Sequence, residues 1–523
     1  MRRLELNLVR VVAAVVACSF PQIQSAPTRA AHANSSEAGA LAPSPETVVI
    51  DVNAPTTPFP HFWERAFGSG RAILSLRDSY RRDLRTVKAA TGFEYVRFHA
   101  IFDDEVGVYD EDATGHAVYN FGYVDQIYDG LLENGVRPFV EISFMPRKLA
   151  ARQDVHAFWY KPIVSPPKDD EKWDELVREF AQHLVARYGI EEVSHWYFEV
   201  WNEPNIDFWT GEPKQQTYFQ LYDHTARALK AVDSRIRVGG PATAAADWVD
   251  AFIAHVAKEN VPVDFISTHG YADDTVEHLF HTRETVPMDQ RVCRAIGKVH
   301  EQIASSARPG LPLMWTEWNV PSFGAFQARD TTYVGAALAD DIRQCEALVN
   351  IMSFWTFDDV FEETGVVRDP FHGGFGLIAA GGIRKPSYNA FALLHKLGSV
   401  KLANAASNVL VTRRADGTLV LAAWNLVDPE QTGVSRPVQF IFRGLQPGSR
   451  AYVRRLDEQH GNSLQAYAAM GKPRCPTRAQ VEQLNRAGAL DPPSDVPLRE
   501  GKLRLSVPAN GLAVLEIRPG PRE

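Results

Sequence analysis

Between about residue 62 and residue 398, short runs of β-forming residues alternate with amphipathic stretches that are long enough to be helices. Eight β-rich runs occur: one near Phe67, then Tyr95–His99, Pro138–Ser143, Trp196–Trp201, Arg237–Gly240, Asp264–His269, Leu313–Glu317 and Ser353–Phe357. Such alternation is typical of parallel sheets, because each helix returns the chain to the end where the next strand begins. Eight such units predict an α/β fold with a closed (β/α)8 TIM barrel. An open doubly wound sheet is the alternative, although such sheets usually have fewer strands.

The stretches between these strands carry apolar residues at three- and four-residue steps, which is the period of a helix with one buried face. The clearest are Glu171–Tyr188, Gln215–Val232, Val292–Ser305 and Thr332–Val349. Gly68-Ser69-Gly70 follows the first strand but lacks the third glycine of a dinucleotide-binding fingerprint. This signal is therefore too weak to predict a nucleotide cofactor.

The pattern changes beyond about Gly398, where short strands follow one another without helices between them. They are Val409–Thr412, Leu419–Trp424, Val438–Phe442, Ala451–Arg455, Leu503–Val507 and Leu512–Ile517. Turn signals separate these strands, which predicts an accessory antiparallel β-module. Val48–Val52 is expected to add a strand to it, and residues 471–497, with many Pro and polar residues, are expected to form a long loop. The predicted boundaries are 1–33 for a signal peptide, 34–45 for a disordered linker, 46–54 for the joining strand, 55–398 for the barrel and 399–520 for the C-terminal module.

The N-terminus has the successive regions of an export signal: a basic start, an apolar segment from Val11 to Ala17, and a polar region rich in Ala, Ser and Pro. Ala31-His32-Ala33 fits a small-residue cleavage site, while the residues up to Cys18 resemble a lipobox, so ordinary secretion and a lipid anchor both stay open. The apolar segment is too short to span a bilayer, and no later stretch is long enough. We therefore expect an exported protein without a membrane span, periplasmic or extracellular.

The net charge of −9 gives no basic footprint for nucleic acid or an anionic membrane, and neutral substrates suit it better. Past the signal only Cys293, Cys345 and Cys475 remain, an odd and sparse set that is no disulfide framework. One bridge is possible and none is required. No CxxC pair, HExxH helix or calcium-loop spacing occurs, so no metal or other cofactor is expected. The sequence does not indicate an oligomeric state.

Two short runs, Trp201-Asn202-Glu203-Pro204 and Trp315-Thr316-Glu317-Trp318, place a glutamate at the end of the predicted fourth and seventh strands. Functional residues of such barrels gather at the carboxyl ends of the strands, so Glu203 and Glu317 are expected to converge. Glycosidases use two such carboxyls, one to protonate the leaving oxygen and one to attack the sugar or activate water. The alternative is that Glu203 begins a helix and Glu317 is a solvated strand end. Glycoside hydrolysis is the leading hypothesis, and non-catalytic polysaccharide binding is the hypothesis from another class.

His99 and His269 end the second and sixth predicted strands, and Tyr271 follows His269 by two residues. Both imidazoles are candidates for hydrogen bonds to sugar hydroxyls, and Tyr271 is a candidate donor to the attacking carboxylate. Aromatic side chains near the same rim offer faces on which the C–H surface of a sugar ring stacks: Phe208, Trp209, Trp318 and Trp355. For each of these residues the alternative is ordinary packing or a structural hydrogen bond.

Several of these segments resemble glycoside hydrolase family 39, which contains retaining β-xylosidases and α-L-iduronidases. The segments are Tyr95–His99 with Asp103–Tyr109, then Phe198–Asn205, Phe265–Tyr271 and Trp315–Asn319. Two further segments, Phe354–Glu363 and His372–Leu377, are most similar to the bacterial β-xylosidase branch. Gly270 departs from the pattern, because many relatives are expected to have alanine there.

The resemblance implies a barrel accompanied by a β-sandwich, with Glu203 as the acid/base and Glu317 as the nucleophile. It also implies that Asn202 contacts the 2-hydroxyl of the bound sugar. The residues implied to line the subsite of the terminal sugar are His99, His269, Tyr271, Trp355 and Glu363. Glu362 is adjacent to Glu363, and the resemblance leaves open which of the two has this role.

The segment around Glu363 favours a terminal β-D-xylosyl residue as the substrate. An α-L-iduronide requires basic groups to meet its carboxylate, and the sequence does not locate them. An α-L-arabinopyranoside is sterically close to a xyloside and remains an alternative, as does the iduronide.

Overall fold

Eight parallel strands close into a barrel in the computed structural model, which describes residues 44–321, 327–428 and 431–520. The barrel strands are β1 (Ala66–Gly68), β2 (Tyr95–Phe98), β3 (Arg137–Ile142), β4 (Tyr197–Val200), β5 (Arg237–Thr243), β6 (Phe265–His269), β7 (Leu313–Trp318) and β8 (Ile351–Phe354). Each strand pairs with the next one in the chain, and β8 pairs with β1. The predicted (β/α)8 barrel is thus confirmed, and the open sheet is excluded.

Helices surround this barrel and connect its strands. They are α1 (Asp78–Lys88), α2 (Gly122–Leu132), α3 (Asp170–Tyr188), α4 (Ile190–Val193), α5 (Lys214–Val232), α6 (Val249–Lys258), α7 (Val276–Phe280), α8 (Met288–Ala304), α9 (Tyr333–Cys345) and α10 (Pro386–Leu394). The start of α3 shows why the sequence places a helix boundary there. The Asp169 side chain accepts hydrogen bonds from the first backbone N–H groups of α3, those of Glu171 and Lys172, which have no partner within the helix.

The interior of the barrel has two layers of different chemistry, because every second side chain of a strand points the same way. The layer at the amino ends of the strands is apolar and includes Tyr95, Phe139, Tyr197 and Phe265. Two residues further along β2, β3 and β4 come three buried charged residues: Arg97, Glu141 and Glu199. One more step of two along β2 reaches His99. The strand period therefore brings charged side chains to the carboxyl end of the barrel.

Two sheets form the accessory β-sandwich. The three-stranded sheet consists of Glu46–Asp51, Arg436–Arg443 and Lys502–Val507. The seven-stranded sheet has the order Thr56–Pro58, Val400–Leu402, Val409–Arg413, Leu419–Trp424, Leu512–Arg518, Arg450–Leu456 and Ser494–Val496. Apolar side chains from both sheets pack into one core, with Ile50, Phe440 and Leu505 on one side and Val411 and Leu421 on the other.

The sandwich differs from its prediction in two details. The joining strand Glu46–Asp51 pairs in parallel with Arg436–Arg443, whereas the other sandwich pairings are antiparallel. Thr56–Pro58, which we assigned to the barrel, pairs with Val400–Leu402 in the seven-stranded sheet. The chain thus leaves the sandwich a few residues later than expected. The described residues from Pro45 to Gly520 form one compact unit, in which α9 packs on the strand Leu419–Trp424.

The prediction of a long loop over residues 471–497 was wrong. A helix, α12 (Arg478–Ala487), follows the short α11 (Leu464–Ala469), and Ser494–Val496 is an edge strand. Thr477 and Gln480 form a capping box, in which each side chain bonds the backbone N–H of the other residue. Leu484 of α12 is fully buried in a small cluster with Tyr467 and Phe371. The capping signal and this one buried contact outweigh the polar composition on which the loop prediction was based.

Cys293 of α8 and Cys345 at the end of α9 form a disulfide, and Cys475 is an exposed free thiol. The one bridge that the cysteine count allowed is therefore present. Among the described residues, no helix is both long and apolar enough to cross a membrane. The predicted signal peptide, its cleavage site at Ala33 and Cys18 lie outside the described residues.

Candidate active site

Glu203 and Glu317 meet at the carboxyl end of the barrel. Glu203 lies three residues beyond the end of β4, and Glu317 is the penultimate residue of β7. One carboxylate oxygen of each residue and a ring nitrogen of His269 all lie within 4.8 Å of one another. Retaining glycosidases hold their two carboxyls about 5 to 5.5 Å apart, whereas inverting ones leave about 6.5 to 9.5 Å for a water. The spacing of the pair is that of the retaining class.

Two donors hold the carboxylate of Glu317 in place. Arg97 donates from Nη1 to Oε1 at 2.7 Å, and the Tyr271 hydroxyl donates to Oε2 at 2.8 Å. Glu317 itself is only 5% exposed. Each oxygen has a fixed donor, so the plane of this carboxylate is set before a substrate arrives.

Arg97 is the centre of a buried ionic network. Its guanidinium also donates to Glu199 at 2.5 Å and is 2.7 Å from Glu141, and neither carboxylate has measurable exposure. Nη2 of Arg97 donates to Oδ1 of Asn202 at 2.9 Å. Because the amide oxygen of Asn202 is used in this way, its NH₂ group is available to a ligand in the cavity.

Glu203 has the properties of a proton donor. Burial raises the pKa of Glu203 to about 7, and the negative charge of Asp274 acts in the same direction, while the cations His99 and Arg97 oppose it. Nδ1 of His269 lies 3.0 Å from one of its oxygens. Glu203 is therefore protonated below neutral pH, which a general acid requires.

The backbone that carries Glu203 is strained. Trp201 and Glu203 have φ values of 70° and 43°, in the left-handed region that residues with a Cβ rarely adopt. Two hydrogen bonds hold this turn: Trp201 Nε1 donates to the carbonyl of Phe208 at 2.7 Å, and the Glu203 N–H donates to the carbonyl of Ala242 at 2.8 Å. The turn redirects the chain at the end of β4 so that the carboxyl of Glu203 faces the cavity.

The two histidines differ in charge: His99 is protonated at pH 7 and His269 is neutral. Burial disfavours the charged imidazole of His99, but the carboxylates of Glu141 and Glu363 outweigh this effect and raise its pKa to about 10. Nδ1 of His99 is 2.8 Å from Glu141. Burial lowers the pKa of His269 to about 4, so this ring is neutral at pH 7. His269 lies behind the two catalytic carboxyls rather than on the cavity wall.

The adjacent acids Glu362 and Glu363 point to different surroundings. Glu363 lines the cavity, and its Oε1 has no hydrogen bond to any described residue, the nearest cation being Nε2 of His99 at 3.6 Å. Burial raises the pKa of Glu363 to about 7. Glu362 instead forms ion pairs with Arg77 at 2.5 Å and Arg71 at 3.2 Å and is not part of the wall. Of the two, only Glu363 is in a position to contact a bound sugar.

The cavity above these groups has a volume of about 400 Å³. Its described wall consists of His99, His156, Phe158, Asn202, Glu203, Phe208, Tyr271, Asp273, Asp274, Glu317, Arg329, Trp355, Glu363 and Phe375. Seven predicted site residues other than Glu317 are therefore on the wall, whereas His269 and Glu362 are not, and neither are the stacking candidates Trp209 and Trp318, which are fully buried. Trp355 packs beside His99 with ring centroids 4.9 Å apart, and presents an apolar face of the kind on which sugars stack.

Sequence reasoning missed the charged network beneath the cavity. Arg97, Glu141 and Glu199 each stand between two apolar residues of a strand, for example between Val96 and Phe98 in the case of Arg97. A charge at a buried strand position needs a charged partner, and three such strands predict a network. Wall residues from connecting segments were also missed, namely His156, Phe158, Asp273, Asp274, Arg329 and Phe375. These carry no comparable local signal.

A closed (β/α)8 barrel with two carboxyls at this spacing, one paired with a buried arginine and the other with a pKa of about 7, defines a glycoside hydrolase. The chain belongs to the family described as glycosyl hydrolases family 39, whose sequence model matches residues 46–500. It is 38% identical to a β-xylosidase of Geobacillus stearothermophilus over 452 residues, which cover 83% of this chain and 88% of that protein.

Solved structures show the same similarity. A family 39 β-xylosidase from Caulobacter crescentus matches with a TM-score of 0.79 and 36% identity, and the match covers 91% of this chain and 100% of that one. The similarity to an α-L-iduronidase of Canis lupus familiaris is shorter: 31% identity over 218 residues, or 40% of this chain and 31% of that protein. The resemblance noted in the sequence is thus confirmed for the family.

Proposed function

We propose that this glycosidase releases terminal β-D-xylosyl residues from xylo-oligosaccharides or xylosides, with retention of the anomeric configuration. The separation of Glu203 and Glu317 carries the proposal for retention: one oxygen of each carboxyl lies within 4.8 Å of the other, whereas an inverting enzyme needs about 6.5 to 9.5 Å to place the attacking water beside the sugar. Similarity to two β-xylosidases over most of the chain supports the choice of sugar.

The reaction has two displacements. Glu317 attacks the anomeric carbon and forms a glycosyl ester, while the bond to the leaving oxygen breaks and that oxygen takes the proton of Glu203. Glu203, now ionised, removes a proton from water as the water attacks the same carbon and frees Glu317. Formation of the ester removes the negative charge of Glu317 and thereby lowers the pKa of Glu203. Glu203 therefore releases its proton as the ester forms and is ionised, ready to act as a base, in the second step.

The charges on the wall favour a neutral sugar over a uronic acid. Besides Glu317, the acids Glu203, Glu363, Asp273 and Asp274 face the cavity. The cationic side chains on the described wall already contact carboxylates: Arg329 is 3.2 Å from Asp273, and His99 is 2.8 Å from Glu141. A uronate would therefore bring a further negative charge without an unpaired cation to receive it.

A panel of chromogenic glycosides with one leaving group tests the choice of sugar. We expect kcat/KM to be highest for the β-D-xylopyranoside, lower for the α-L-arabinopyranoside and lowest for the α-L-iduronide. A higher kcat/KM for the iduronide than for the xyloside would contradict the proposal. Binding of xylo-oligosaccharides without hydrolysis of any substrate would instead favour a non-catalytic polysaccharide-binding protein.

Substitution of the two acids tests their roles. Glu317→Ala and Glu203→Ala are each expected to lower kcat by orders of magnitude, because nucleophilic and acid catalysis are lost. Azide fits the space left in Glu317→Ala and should restore turnover with an inverted glycosyl azide as the product. If neither substitution lowers turnover severalfold, the assignment of the roles is wrong.

Export is also part of the proposal, to the periplasm or the extracellular space, with a lipid anchor at Cys18 as an alternative to ordinary secretion. The regions of the first 33 residues support it. The Cys293–Cys345 disulfide supports it independently, because such bonds persist in oxidising compartments. Mass determination of the mature protein from the native host distinguishes a free N-terminus after Ala33 from a lipidated Cys18, and an intact N-terminus at Met1 would contradict export.

A further inference from the structure

A second group of potential metal ligands lies at the amino end of the barrel, the end opposite the catalytic carboxyls. His61 and Glu64 precede β1, and His395 directly follows α10. Nδ1 of His61 is 2.6 Å from Oε1 of Glu64, and Nδ1 of His395 is 2.8 Å from the same oxygen and 3.0 Å from Oε2. The three donor atoms all lie within 4.8 Å of one another.

The carboxylate of Glu64 is buried without a permanent cation beside it. Glu64 is 1% exposed, and in the described part of the chain its side-chain partners are the two imidazoles, with no Lys or Arg among them. A buried carboxylate is costly unless a positive charge compensates it. A divalent metal ion bound by neutral imidazoles would supply that charge at this position.

The donor set fits a particular class of metal. Two imidazole nitrogens and one carboxylate oxygen are the ligands that zinc takes in sites with three protein ligands and one open position. Zinc–ligand distances of about 2.0 to 2.1 Å place tetrahedral donors roughly 3.4 Å apart, so the two imidazole nitrogens need to move away from the Glu64 oxygen by about 0.6 to 0.8 Å. The His395 side chain, which is 45% exposed, has room for this movement and gives an ion access from solvent.

Aromatic packing holds the other imidazole, that of His61, beside the segment that leads into β1. The His61 ring stacks on Trp63 with centroids 4.5 Å apart, and Trp63 is fully buried. The backbone of this segment is tied to the barrel, since the N–H of Met352 in β8 donates to the carbonyl of Phe62 at 3.0 Å. An ion at this point would therefore link the segment leading into the first strand to the end of α10.

We infer that His61, Glu64 and His395 form a binding site for a divalent transition-metal ion of the zinc class, which stabilises the closure of the barrel and takes no part in hydrolysis. The site joins residues 331 positions apart in the chain. Residues at the amino face of such barrels serve stability, whereas the chemistry takes place at the carboxyl face. The inference does not depend on which sugar the enzyme accepts.

Thermal unfolding of the full chain after chelator treatment, with and without added zinc chloride, tests the site. We expect zinc to raise the Tm of the wild type by about 1 to 3 °C, because an ion that binds only the folded state stabilises it. Isothermal titration with zinc is expected to show one tight site. His61→Ala and His395→Ala are each expected to lose both signals and to keep the xylosidase activity of the zinc-free enzyme.

The matched control is His116→Ala, which removes an exposed histidine whose side chain contacts the nearby Thr114 and Asp112, and this variant should keep the full zinc response. The readout is the difference between zinc and chelator for each variant, so a loss of basal stability does not obscure it. Should His395→Ala fold poorly, His395→Gln gives the same comparison. Absence of a zinc response in the wild type would overturn the inference and leave the two imidazoles as hydrogen-bond donors to Glu64.

Glu203, His269 and Glu317 have donor atoms at similar spacing, so the experiment must also show that zinc does not bind at this catalytic group instead. A zinc response that persists in the His61 and His395 variants but disappears in Glu203→Gln would place the ion at the catalytic pair and refute the inference. This result would leave the proposed hydrolytic function intact, so the two proposals fail separately.

Discussion

Arg97 donates a 2.7 Å hydrogen bond to Oε1 of Glu317, although the two residues belong to strands β2 and β7, which are not neighbours in the barrel. Both side chains are almost completely buried. The same guanidinium binds Asn202 and the carboxylates beneath the cavity. One buried cation thus sets the position of the nucleophile and of a predicted sugar-binding amide together.

Replacement of Arg97 by methionine is expected to reduce both activity and stability. It leaves Glu141, Glu199 and Glu317 buried without their common cation, and loss of one partner from a buried ion pair costs roughly 3 to 5 kcal/mol. Glu317 also loses its orientation, so kcat should fall by at least about a hundredfold. Denaturant unfolding and kinetics on a chromogenic xyloside measure the two effects.

The control for this variant is Arg187→Met, which removes a half-exposed cation paired with Asp129. Exposed ion pairs contribute less than about 1 kcal/mol, so the control should remain close to wild type in stability and activity. Equal losses in both variants would show that the Arg97 network has no special role.

Activity is expected to fall as the pH rises through about 7. Glu203 must be protonated to donate to the leaving oxygen, and burial raises the pKa of Glu203 to about 7, so the active form is present below that pH and disappears above it. The profile of kcat/KM against pH for a substrate with a poor leaving group measures this limb. Because the pKa of Glu363 is also about 7, the pH profile of Glu363→Gln must be measured as well. If Glu203 is the titrating group, the loss of activity above pH 7 should remain in this variant.

Asp274→Asn is expected to move this basic limb to lower pH. The charge of Asp274 is, after burial, the largest influence that raises the pKa of Glu203, and the amide removes it. Asp273→Asn is the matched control, because Asp273 faces Arg329 and is not among the main influences on Glu203. A limb that stays at the same pH in Asp274→Asn would contradict this electrostatic role.

Glu363→Gln and Glu362→Gln should have different effects although the residues are adjacent. Glu363 faces the cavity with an oxygen unpaired among the described residues, and loss of a charged hydrogen bond to a sugar hydroxyl should lower kcat/KM by about ten- to a hundredfold. Glu362 binds Arg71 and Arg77, so its substitution should lower stability and change kcat/KM by less than about threefold. Steady-state kinetics and thermal unfolding of the two variants measure these effects. A larger loss of kcat/KM in Glu362→Gln than in Glu363→Gln would assign the sugar contact to Glu362.

Reduction of the Cys293–Cys345 disulfide should destabilise the protein without changing the kinetics of the folded enzyme. The bond closes a loop between residues 52 positions apart, for which loss of the cross-link costs about 4 kcal/mol in the chain-entropy model. The double variant Cys293→Ser/Cys345→Ser is expected to lower the Tm, whereas Cys475→Ser, at the exposed free thiol, should not. An unchanged Tm in the double variant would contradict a stabilising role.

The sequence predicted the parts of the site that lie at strand ends. Glu203, Glu317, His99 and Tyr271 follow or end apolar strands, and the fold places strand ends at one rim, so position along the chain was sufficient. Neither the behaviour of Glu362 nor the helix α12 was predicted. In the first case two adjacent acids have the same local sequence context, and only Arg71 and Arg77, nearly 300 residues away, decide which one turns from the cavity.

The sequence by itself determined the barrel through its alternation of strand and helix patterns, and the C-terminal module through its succession of strands without helices. It also determined that the two catalytic acids lie at strand ends, because periodicity and strand ends are local properties of the chain. Tertiary structure alone decided the charge states. Whether Glu203 keeps its proton and His99 its charge depends on burial and on carboxylates contributed by other strands and by connecting segments. It also decided that Arg97 joins Glu317 and Asn202, since that contact exists only after the barrel has closed.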